Sequence, residues 1–240
     1  MGDDWKPYDP IYDPKTKTTE PQQQRIIQLA KLVTHTNDVD FARQIGAFID
    51  LPEFARFLAC EVTTAHYDGI LTQGQNFLLA LDPRSQKFSI VPWDLEHSWG
   101  EFPFIATAEQ RERASIWHPW VGKNRFLERL FAVEQFRERY QEELERLLSN
   151  LFAPDRLTRR IDELAAAVRP AIAEESPERL SKFEIAVSDQ IQSGPRDGNP
   201  FDPNRPVHQL KRFVATRAQN LREQLDGKTE GARVVRISMQ

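Results

Sequence analysis

From Gln23 onward apolar residues recur with a helical period: Ile26, Ile27, Leu29, Ala30 and Val33 fall three to four positions apart and predict an amphipathic helix. A second short amphipathic segment carries Phe41, Ile45, Phe48 and Ile49. Asp50, with Pro52 and Glu53 close behind, is a helix-start signal, and the helix it opens runs through Phe54, Phe57, Leu58 and Val62 toward Ala65. The period then changes. NFLLALD (76–82) and KFSIVPW (87–93) read as strands joined by the turn-forming DPRSQ, a β-hairpin.

Beyond Gly100 an irregular, aromatic-rich stretch extends to Asn124, and three helices follow. The first spans 124–151, with Phe126, Leu130, Phe136, Tyr140, Leu144 and Leu148 on its apolar stripe, and Ala153-Pro154-Asp155 ends it. A second carries Leu157, Ile161, Leu164, Val168 and Ile172. The last carries Leu210, Phe213, Val214, Leu221 and Leu225. Between the last two, the segment 193–206 holds four prolines and two glycines and reads as a loop. The expected fold class is α+β, predominantly α-helical. Residues 1–22, with four prolines, read as an extended N-terminal arm, 23–225 as the folded body and 226–240 as a polar, frayed tail.

Charge narrows the functional classes. Lys plus Arg number 32 against 36 Asp plus Glu, both signs interspersed, so no basic footprint for nucleic acid exists. No apolar run approaches about 18 residues, which argues against a membrane span. The N-terminus shows no signal-peptide pattern, so the sequence carries no address. The single cysteine, Cys60, excludes a disulfide framework within one chain and reads as a buried structural thiol in an apolar helix.

The hairpin then makes a spatial prediction. If its strands pair about the turn, Asn76 at the open end lies opposite Pro92 and Trp93, next to Asp94. Glu96 is two residues further on, and Asp68 enters from the preceding loop HYDGILTQGQ. Oxygen ligands of this kind suit Mg²⁺ or Mn²⁺ better than zinc. An Asp-Asn-Asp set on loops is also ordinary turn and capping chemistry. Trp93 and Trp99 read as packing residues flanking Asp94, His66 and His97 as peripheral, and His118 as structural. The order Asp, Asn, hairpin, Asp is that of a protein-kinase catalytic lobe, although the eight-residue step from Asp68 to Asn76 is longer than in the kinase catalytic-loop motif.

The stretch FARFLACEVTTAHYDGILTQGQNFLLALDPRSQKFSIVPWDLEHSWG resembles the core signature of the CotH (spore coat protein H) kinase family, in particular its C-terminal helical lobe. The resemblance extends over roughly residues 23 to 225. It implies an atypical protein-kinase-like lobe whose hairpin carries the metal site, binding ATP with Mg²⁺ or Mn²⁺ and phosphorylating Ser/Thr hydroxyls of a protein substrate. Asp68 then matches the catalytic Asp, and Asn76 and Asp94 match the residues that hold the metal and nucleotide. Glu96 stands where the family often has Asp, as a third metal ligand. The resemblance also suggests the spore coat, the cell surface or secretion. A kinase needs an N-terminal lobe to cover the phosphates, and only 22 non-periodic residues precede the first helix, so the chain is expected to be part of a longer protein and inactive alone. The alternative is a non-catalytic structural or interaction module of a coat or surface protein. A metal-dependent hydrolase fits less well, because no Ser-His pair suggests a nucleophile.

Overall fold

The computed structural model describes residues 2–192, 196–199, 201–202 and 204–235. It is mostly helical, with one two-stranded antiparallel sheet. In chain order the elements are α1 (Asp9–Tyr12), α2 (Glu20–His35), α3 (Asp38–Gln44), a 3₁₀ turn (Ile45–Ala47), α4 (Leu51–Thr63), β1 (Phe77–Leu81) and β2 (Phe88–Pro92). There follow α5 (Ala108–Glu112), α6 (Arg125–Phe131), α7 (Glu134–Ser149), α8 (Pro154–Glu175), α9 (Pro177–Val187) and α10 (Leu210–Leu225).

The centre of the fold is α4. Asp50 caps it by accepting from the Glu53 amide at 3.0 Å, worth about 1 kcal/mol. It packs along α7 and also meets α10 and β2. Phe54, Leu58, Phe136, Tyr140 and Phe213 are fully buried in the core they share. Pro52, Arg56 and Cys60, each one turn from the next, form its exposed stripe. Cys60 is therefore exposed rather than buried. The apolar residues around it in sequence point to the other faces of the helix.

The ribbon has the expected register, with Phe77 opposite Pro92 and Leu81 opposite Phe88. Phe88 and Ile90 bury their side chains against the body, while Leu78 and Val91 face outward. Phe88 also donates its amide to the Phe48 carbonyl at 2.7 Å, which anchors the ribbon to the turn before α4.

Several elements depart from the sequence reading. The single helix expected over 124–151 is two, α6 and α7, parted at Ala132 and Val133. The bend lets both apolar stripes face one core, where Phe131 meets Tyr140 at 5.1 Å between ring centroids. Thr107 caps the unforeseen α5, and Ser176 ahead of Pro177 starts the unforeseen α9. The N-terminal arm is not uniformly extended: Trp5, Tyr8 and Tyr12 stack around α1 and bury Tyr8. In the tail, Ala232 bridges to Ala114, and Val234 is buried, so the described part docks instead of fraying. Parts of the expected loop 193–206 and tail 226–240 lie outside the described residues.

Candidate active site

The chain leaves α4 through Ala65, in left-handed backbone (φ 49°), and enters the loop that carries Asp68. The root of this loop is buried. The imidazole of His66 lies wholly inside, its Nδ1 2.9 Å from Oε2 of the buried Glu61. Tyr67 is buried as well, and desolvation pushes its phenol well above its ordinary value. Further out, the Leu71 carbonyl accepts from the Val121 amide at 2.8 Å, and the Asn124 side chain donates to the Ile70 carbonyl at 3.2 Å while capping α6.

Asp68 itself is half-buried and held by two amides. Gln75 Nε2 donates to Oδ1 at 2.7 Å, and Asn76 Nδ2 donates to Oδ2 at 2.9 Å and to the Asp68 carbonyl at 2.7 Å. The Asn76 side chain thus spends its nitrogen on Asp68 and keeps Oδ1 for another partner. The carbonyl of Asn76 accepts from the Trp93 amide at 3.0 Å, which closes the open end of the ribbon and sets Asp94 one residue beyond the closing pair. Asp68 and Asn76 are in direct contact, and the backbone joins Asn76 to the strand end that leads into Asp94.

Asp94 is exposed, and its carboxylate has no hydrogen-bond partner among the described residues. Glu96 is also exposed, with Oε1 3.9 Å from His97 Nε2. His97 Nδ1 meets Glu101 Oε2 at 2.6 Å, and Glu101 in turn holds Arg205. Trp93 does not pack: it is 62% exposed, because its position beyond the last ribbon pair turns it away from the face that Ile90 and Phe88 bury. Trp99 packs as expected, stacked on Phe152 and edge-on to Phe213. His118 sits against Trp120, with ring centroids 4.0 Å apart.

The segment after Asp94 returns to the end of α4. The Gly100 amide donates to the Thr64 carbonyl at 3.0 Å, and a Cβ on Gly100 would stand 2.6 Å from the Phe213 ring at φ +70°. Only glycine fits there. Ala65, Asn76, Asp94 and Trp99 all adopt positive φ, so left-handed backbone gathers at the approaches to this site. Such strain is stored where the surrounding structure fixes a functional geometry.

A fully buried cation holds this frame together. Arg217 of α10 donates to the Val62 carbonyl at 2.7 Å and to the Ala114 carbonyl at 2.6 Å. Burial lowers its pKa, against the opposing pull of the Tyr67 and Tyr140 hydroxyls. Sequence reasoning placed His66 at the periphery, whereas it is buried at the root of the loop, and missed Glu61 and Arg217. The spacing of Glu61 and His66 at the end of an apolar helix was a usable signal, whereas nothing local marks Arg217.

A cavity of about 330 Å³ adjoins Glu101, lined among others by Arg111, Arg196, Arg205 and His208. Its arginines are already matched: Arg111 by the Gly100, Ile105 and Ala106 carbonyls, Arg196 by Glu112, and Arg205 by Glu101. The ribbon's end remains the candidate site. Among the described residues no three His, Cys, Asp or Glu side chains form a metal cage. Two carboxylates and an amide oxygen suit a cation that keeps waters and phosphate ligands, as Mg²⁺ does.

Comparison with known proteins agrees with this frame. The family model described as "CotH kinase protein" matches residues 2–221. This chain belongs to the CotH family. One relative is the inner spore coat protein H of Bacillus subtilis (strain 168), 25% identical over 164 residues. The match covers 67% of this chain and 42% of that relative. The CotH match includes the Asp68 loop, the ribbon, the segment through Gly100 and most of α10. No helix among the described residues is long and apolar enough to cross a membrane.

Proposed function

We propose that this CotH-family chain is the helical lobe of an atypical kinase, using Mg-ATP or Mn-ATP to phosphorylate Ser/Thr hydroxyls of a protein substrate. The observation that carries the reading is the double role of Asn76. Its nitrogen orients Asp68, its backbone pairs with Trp93 beside Asp94, and its Oδ1 is left for a ligand.

In this reading Asn76 Oδ1, Asp94 and Glu96 hold the metal, and Asp68 receives the acceptor. A cation held by these residues would supply charge to offset that of the nucleotide phosphates. Asp68 accepts a hydrogen bond from the acceptor hydroxyl with a lone pair that Gln75 and Asn76 leave open. Because both amides fix its carboxylate, little ordering is needed when the acceptor arrives. The buried Tyr67 and His66 keep the loop from swinging. A lobe that covers the nucleotide would complete this kinase; the match to the spore coat relative spans 42% of that protein. The relative's name favours association with a spore coat.

A second reading, a non-catalytic coat or surface module, draws on the open exposure of Asp94 and Glu96 and on Glu96 standing where the family often has Asp. Transfer of radiolabelled phosphate by the full-length protein separates the two. The kinase reading expects incorporation that Asp94→Ala abolishes. Incorporation that Asp94→Ala leaves unchanged refutes it.

A further inference from the structure

We propose that Glu61 and His66 form a buried positioning pair that sets the place of Asp68 without touching the reacting groups. The inference rests on the kinase reading for its kinetic consequence, but not for its structural one.

Both side chains are buried where α4 ends, and Nδ1 of His66 lies 2.9 Å from Oε2 of Glu61. The His66 amide also donates to the Glu61 carbonyl at 2.9 Å, so the two residues are tied twice. The second ring nitrogen, Nε2, has no partner among the described residues. A proton on Nδ1 is donated to the Glu61 carboxylate, and Nε2 is the ring atom left without a partner.

The pair reaches past Asp68 as well. A Cβ on Gly69 would stand 2.7 Å from Glu61 Oε2 and 2.9 Å from His66 Nδ1. Asp68 is therefore bracketed: His66 two residues before it is one half of the pair, and Gly69 directly after it rests on both halves. The Gly69 carbonyl then receives the amides of Thr72 and Gly74 at 3.3 and 3.2 Å, which passes the constraint to the turn leading to Gln75 and Asn76. The contacts of the pair on both sides of Asp68 therefore fix the backbone from which its carboxylate projects.

The test combines hydrogen exchange with transfer kinetics on the full-length protein, for Glu61→Leu, Glu61→Gln and Gly69→Ala. Glu61→Leu and Gly69→Ala are expected to speed exchange of the His66, Thr72 and Gly74 amides while α7 keeps its protection. The same two variants should lower kcat on the order of tenfold to a hundredfold, with KM for the nucleotide within about twofold of the parent. Glu61→Gln retains an acceptor for Nδ1–H and should stay close to the parent in both. Unchanged exchange over these amides in both Glu61→Leu and Gly69→Ala overturns the proposal, whatever the activity. A Glu61→Gln as defective as Glu61→Leu overturns it too. If Glu61→Leu loses protection throughout α4 and α7, Gly69→Ala and Glu61→Gln decide alone. A parent protein without phosphate transfer sinks the kinase reading and leaves the exchange result to judge the pair.

Discussion

The side-chain nitrogen of Asn76 lies 2.7 Å from the backbone carbonyl of Asp68 and 2.9 Å from its carboxylate, so one amide clasps the residue eight positions earlier at two points. Asn76 does this from left-handed backbone at φ 57°. That conformation costs most residues about 1–2 kcal/mol and asparagine less. Asn76→Ala is expected to lose both bonds and meet that strain, destabilising the protein by about 2–4 kcal/mol. Asn76→Gly loses the bonds without the strain and should be the milder of the two. Chemical denaturation of both variants checks the ordering.

Gly74 and Gly100 share φ +70° but not surroundings. Around Gly74 a Cβ meets nothing within 4 Å, so Gly74→Ala should cost only backbone strain, about 1 kcal/mol. At Gly100 the Cβ would be driven into the Phe213 ring, and Gly100→Ala should cost about 3 kcal/mol or more. Thermal melts of the two variants side by side measure the difference.

Among the described residues Arg217 has no carboxylate within hydrogen-bonding reach; it serves two backbone carbonyls. Arg217→Ala removes one donor from each of the Val62 and Ala114 carbonyls, which keep the Ala65 amide and the Gln224 side chain respectively, and opens a cavity; it is expected to destabilise by about 2–5 kcal/mol. Arg217→Lys, with a shorter reach and no planar fork, should recover less than half of that loss. Denaturant midpoints at constant slope decide the point.

Burial lowers the pKa of His208, whose ring is turned into the protein beside Phe213. The unfolded chain then binds a proton that the folded chain resists, so stability is full above about pH 6.5 and declines as pH falls below it. His208→Gln removes this contribution. Melting temperatures between pH 8 and pH 5 should fall more steeply for the parent than for the variant.

Much of this was legible in the sequence because it depends on neighbours. The ribbon register follows from alternation around the DPRSQ turn, and Asp50 announces its own cap. Those two features bring Asn76 to Trp93 and make the approach of Asp68 foreseeable. What could not be read is set by partners far along the chain. Cys60 looks buried until α7 fixes which faces of α4 are covered. Trp93 looks like core until the ribbon is found to bury its other face. The break between α6 and α7 carries no glycine or proline, and arises because Phe131 and Phe136 must both reach one core. Arg217 acts on Val62, 155 residues away in sequence, a distance no local pattern spans.

The central claim is that Asp94 and Asn76 hold a divalent cation with a nucleotide. Isothermal titration of Mg-ATP into the full-length protein, repeated with EDTA and with Asp94→Ala, tests it most directly. The account predicts saturable binding that disappears with EDTA and weakens at least about tenfold, or about 1.4 kcal/mol, in Asp94→Ala. Equal affinity in the variant, or binding indifferent to the metal, would contradict it.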